Sequence, residues 1–107
     1  MISVDVDTTY DDSGEEILAK FSDENWEVNV RARASEFLTL SDIRSFDWNE
    51  RRATKVGRCA GTNVFWCSDG KTATIMLGHD DETWDVAFSL PVEVIDDLVR
   101  QVRSPTA

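Results

Sequence analysis

Apolar and polar positions alternate with a period of two along most of this chain, and a helical period replaces it only around residues 40–52 and 91–103. Alternation of that kind marks strands with one face toward a core. Ile2, Val4 and Val6 alternate with Ser3, Asp5 and Asp7 over residues 1–8. A second apolar run follows at Ile17–Phe21, and Ser22-Asp23-Glu24-Asn25 then reverses the chain. In residues 26–34, Trp26, Val28, Val30, Ala32 and Ala34 turn inward and Glu27, Asn29, Arg31 and Arg33 turn to water. Residues 54–60 are a further strand, in which Gly57 marks a bulge or a close backbone approach.

The densest patterning lies between Val64 and Leu90. Asp69-Gly70 joins Val64–Ser68 to Lys71–Leu77, and such a pair between alternating runs predicts a type I′ hairpin. Gly78-His79-Asp80-Asp81 makes a looser reversal into Trp84–Leu90. Trp84, Val86, Phe88 and Leu90 then share one face, which favours Trp84 as a core anchor over an exposed recognition residue. Large residues on both faces of Val64–Cys67 predict a central strand covered on both sides.

The two departures from period two predict helices. Ser41 as a cap, Asp42 in the first turn and Ile43 and Phe46 at helical spacing place a short helix over 42–52. Pro91 suits the first position of a second helix, whose Val92, Ile95, Leu98, Val99 and Val102 form one apolar stripe. Its acids Glu93, Asp96 and Asp97 precede its bases Arg100 and Arg103, the order the helix dipole favours. The expected fold is α+β in a single domain, 1–107. It has a mostly antiparallel sheet of about six strands, a short middle helix and an amphipathic C-terminal helix packed on the sheet.

Charge narrows the partners. A net charge of −10 disfavours nucleic acid and anionic membrane, both of which select clustered Lys and Arg. No stretch approaches the roughly 18–20 apolar residues of a membrane helix, and the acidic start lacks a signal-peptide pattern, so a cytoplasmic protein is expected. The charge is also uneven. Residues 1–27 carry nine acids and one base, 28–58 four acids and seven bases, and 59–107 eight acids and three bases. The basic middle reads as an interaction surface or as a partner for the acidic flanks, and pairing is the expected outcome, since exposed ion pairs are common.

Little here predicts catalysis. The serines lack a G-x-S-x-G context, the glycines form no phosphate loop, and His79 is the only histidine. Cys59 and Cys67 are expected as two small buried hydrophobes in a reducing compartment, since one histidine and no C-x-x-C leave a zinc site short of ligands. No cofactor is expected. The one cluster with chemical potential is His79, Asp80, Asp81 and Glu82, with Asp85 close behind. As an alternative function it offers a divalent-cation site, though without the spacing of a calcium loop. Trp48 stands among Asp47, Asn49, Glu50, Arg51 and Arg52, an aromatic in a charged setting that suits an interface hot spot.

With its small size and acidity, the stretch VFWCSDGKTATIMLGHDDETWDVAFSLPVEVIDDLVRQV at residues 64–102 resembles the small immunity proteins of bacterial polymorphic-toxin and contact-dependent inhibition systems. It shares their layout of a tryptophan-bearing meander ending in Leu-Pro and an amphipathic helix. The resemblance implies a non-catalytic inhibitor that occludes a cognate toxin, basic and possibly a nuclease. On physical grounds Asp80, Asp81, Glu82 and Asp85 would supply charge at that interface and Trp48 an anchor.

Overall fold

A computed structural model of the chain describes residues 2–11, 14–50, 52–80 and 83–103. Seven strands form one antiparallel sheet in strict chain order: β1 (Ser3–Asp11), β2 (Gly14–Asp23), β3 (Trp26–Ala32), β4 (Thr54–Cys59), β5 (Thr62–Ser68), β6 (Thr72–Gly78) and β7 (Trp84–Pro91). Each run of alternation became a strand, so the count is seven rather than about six. The fold is α+β.

The inward parity of each strand builds the front face. Val4, Phe21 and Val28 sit in register across β1, β2 and β3, as do Val6, Ala19 and Val30. On the other half, Trp66, Ile75 and Phe88 line up across β5, β6 and β7. The sheet coils around this face: the Phe21 and Trp66 rings stand 5.9 Å apart, and the Trp26 and Phe88 rings 5.2 Å apart although they lie on β3 and β7. The buried Trp66 indole donates to the Val56 carbonyl at 2.9 Å, so its polar atom is satisfied.

Helices fill the concavity. The helix α2 (Val92–Arg103) buries Val92, Ile95, Leu98 and Val99, the predicted stripe. It contacts β1 as well as β6 and β7, and so spans the mouth of the curved sheet. The middle helix differs from expectation. An α-turn, α1 (Ala34–Leu38), starts well before residue 42, and 3₁₀ helix covers Thr39–Ser45 and Trp48–Glu50. The start follows from Glu36, whose carboxylate accepts the Arg33 amide at 3.0 Å, one half of a capping box. Phe37, Leu40 and Ile43 are the buried residues of this segment, a spacing of three that suits 3₁₀ packing as well as α.

Turn chemistry also moved. Only Gly70 takes positive φ at the Asp69-Gly70 reversal, and the Asp69 carboxylate accepts the Lys71 and Thr72 amides at 2.9 and 2.8 Å. A type I′ turn needs two left-handed residues; this turn is closed instead by the aspartate side chain together with the Asp69 amide, which donates to the Thr72 carbonyl at 3.1 Å. The pair of left-handed residues lies between β4 and β5, at Ala60 (φ 52°) and Gly61 (φ 77°), flanked by Cys59 and Thr62 in register.

Candidate functional site

The predicted anchor Trp48 reaches the back of the sheet because of how the chain crosses it. The Phe46 carbonyl accepts the Ser68 amide at 2.9 Å and Asp47 bridges Ser68, so residues 46–47 take the place beside β5 that β4 leaves empty. The Ser68 hydroxyl donates to the Ile43 carbonyl at 2.9 Å, which ties the preceding 3₁₀ turn to the same point. Beyond this crossing, Trp48–Glu50 lies over the back face and leaves Trp48 half-buried.

Trp48 meets Trp84 there. Their ring centroids are 5.6 Å apart at 78°, an edge-to-face contact. Trp84 was expected in the core. A bulge explains the difference: Leu77 pairs with Val86, but Gly78 pairs with Trp84, so Asp85 is an extra residue in β7. The extra residue shifts parity and turns Trp84 to the side that carries Met76 and Thr74. Gly78 permits this approach, because a Cβ there would lie 2.3 Å from the Trp84 Cα. Trp84 and Val86 remain 36% and 43% accessible, large apolar side chains left open beside the outer edge of the sheet.

Together the two tryptophans frame a groove of about 370 Å³ floored by Cys67, Thr74, Met76 and Ser89, with Asp69 at its margin and no base among the described residues of its lining. Amide donors from Thr72 and Lys71 hold the Asp69 carboxyl below its usual range, so the group is an anion at neutral pH. Burial pushes the Cys67 thiol up, which keeps it protonated and a poor nucleophile. Cys59 and Cys67 are both free thiols; Cys67 is buried as expected, whereas Cys59 is half-buried.

The acidic turn sits at the Trp84 end. His79 and Asp85 are exposed. Asp80 is engaged inside the turn, where its Oδ1 accepts the Thr83 amide and hydroxyl, each at 2.8 Å. It therefore shapes the turn as well as charging it. Asp81 and Glu82 lie outside the described residues. Among the described residues, no three His, Cys, Asp or Glu side chains converge as a metal site would require. Trp48 and Asp85 are thus brought to one end of the back face by way of Trp84, a residue whose outward turn the alternation hid.

The basic middle divides. Arg44 pairs with Asp96 through two bonds of 2.9 and 2.8 Å, as charge complementarity predicted. The Arg33 guanidinium donates to the Glu15 carbonyl. Arg31, Lys55 and Arg58 form no ion pair among the described residues, contrary to the expected pairing with the acidic flanks. They line a separate cleft of about 310 Å³ with Arg33, Glu16 and Glu36.

Compared with protein-family models, curated proteins and solved structures, the chain matches none. Among the described residues no helix is long and apolar enough to cross a membrane.

Proposed function

We propose that this is a non-catalytic cytoplasmic binding protein that neutralises a basic protein toxin by occluding it, as the immunity proteins resembled by residues 64–102 do. The observation that carries this reading is the Trp48–Trp84 pair at the mouth of a groove with Asp69 at its margin. A lysine or arginine side chain of the partner fits between indole and carboxylate: the ring face attracts the cation and Asp69 compensates its charge. Asp85 and the net charge of −10 accelerate encounter with a cationic surface. The exposed indole then supplies contact area that slows dissociation.

Affinity capture from the native host lysate at low and at moderate salt, with mass spectrometry of the retained proteins, tests the reading. The expected result is one basic protein whose toxic activity is lost in the complex, and whose retention drops for Trp48→Ala and Trp84→Ala. Retention of that protein with its activity intact contradicts occlusion; retention of no basic protein contradicts the reading as a whole. Asp85→Asn is the cleaner charge variant, because Asp80→Ala would also release the Thr83 amide.

A further inference from the structure

A second site stands on the back face, at the junction of β3 and β4, where the chain gathers bases that its alternation would separate. Lys55 and Arg58 are three apart, a spacing that places side chains on opposite faces of a regular strand. Here Lys55 pairs with Phe65 and Arg58 with Asn63, residues of the same parity on β5, with the register shifting between them. The bulge at Gly57 therefore turns both bases to one side. Arg31 sits directly opposite Arg58 in the register pair that joins β3 to β4, so its side chain faces the same way. Gly57 is held at φ 79°, with a Cβ there placed 2.7 Å from the Arg31 carbonyl oxygen, so this junction admits glycine alone.

Such an arrangement opposes stability. Like charges directly across a strand pair repel, and in a chain with 21 acids and 11 bases compensating carboxylates are plentiful. Yet Arg31, Lys55 and Arg58 form no ion pair among the described residues, and all three are exposed. Among the described residues, the cleft they line also takes Arg33, whose guanidinium is engaged by the Glu15 carbonyl, and the acids Glu16 and Glu36. Of those two acids, Glu36 already accepts the Arg33 amide. Planar guanidinium groups converging on one concavity are matched by an oxyanion with several acceptor oxygens.

The geometry points to a binding site for a small phosphate-bearing anion in the Arg31–Lys55–Arg58 cleft, built by the Gly57 bulge. It is independent of the tryptophan-framed groove and of the basic partner proposed for it. Titration of the full chain with inorganic phosphate and with pyrophosphate, at ionic strength held constant with chloride, reads it directly. Saturable binding is expected, tighter for pyrophosphate, with the largest amide shift changes at Gly57, Arg58 and Arg31. The Arg31→Gln/Arg58→Gln double variant is expected to bind at least tenfold more weakly. In chloride alone its melting temperature should match or exceed the parent's, because the repulsion is gone. Arg103→Gln, at the far end of α2, leaves binding unchanged. No saturable response at millimolar pyrophosphate overturns the site, and so does an equal response in the double variant. Tighter binding of citrate than of pyrophosphate overturns the phosphate class.

Discussion

Ala60 and Gly57 both occupy left-handed backbone, and opposite outcomes are expected when each is replaced. Ala60, at φ 52°, has an exposed side chain and nothing in its turn that needs a methyl group. An L-residue there costs about 1–2 kcal/mol, and asparagine is the residue that relieves it best before a glycine. Ala60→Asn is expected to stabilise the fold by about 0.5–1 kcal/mol, read as a higher urea midpoint at unchanged slope. Gly57→Ala meets both the same conformational cost and the Arg31 carbonyl at 2.7 Å. A loss of about 2 kcal/mol or more is expected, from strain plus clash. Equal midpoints for the two variants would contradict this account of the bulge.

Between elements, one amide side chain manages an exposed edge. β1 is the first strand of the sheet and offers unpaired backbone groups on its outer side. Gln101 of α2 donates to the Val4 carbonyl at 2.8 Å and accepts the Val6 amide at 3.2 Å, so the helix pairs with the strand as a short stretch of ladder would. Gln101→Ala is expected to cost about 1–2 kcal/mol, for two lost hydrogen bonds whose partners regain water. Hydrogen exchange at the Val6 amide reports it: faster exchange is expected, and an unchanged rate would deny the edge role.

The elements also show where a period of two is informative and where it fails. Each alternating run became a strand because burial on one face and water on the other admit only that period. Gly57 was legible as a bulge, since a glycine inside a strand has few other uses. The bulge at Asp85 was not, because Trp84-Asp85-Val86-Ala87-Phe88 alternates without fault and the parity shift is set by the turn that Asp80 and Thr83 close. The candidate site was thus half visible. Trp48 stood out among charges, while Trp84 was assigned to the core. The middle helix shifted because residues 39–45 bury Leu40 and Ile43 at a spacing that does not separate α from 3₁₀ helix.

On the scale of the whole molecule, paired and hydrogen-bonded carboxyls tie stability to pH. The Arg44 guanidinium holds the Asp96 carboxyl below its ordinary value of 3.8 and ties the middle segment to α2. Asp69 is lowered from the same value by its amide donors. A carboxyl lowered in the folded state contributes stability that is complete above the unfolded value and lost as pH falls through the folded one. Unfolding is therefore expected to become easier as pH falls through the ordinary carboxylate range and below it, with a shallower decline in Asp96→Asn. An Asp96→Asn curve parallel to the parent's would show that the pair contributes nothing to the pH dependence.

Charge steering and aromatic anchoring make separable demands on one complex, so binding kinetics with the captured basic partner test the central claim most directly. Association would be timed at about 50 and 200 mM salt, for the parent chain and for Trp84→Ala. Opposite net charges predict an association rate that falls severalfold across that range. An anchoring indole predicts a dissociation rate at least about 30-fold faster in the variant, the equivalent of roughly 2 kcal/mol. A complex that forms at the same rate in both salts and outlives the loss of Trp84 would contradict the acidic, tryptophan-framed groove as the binding face.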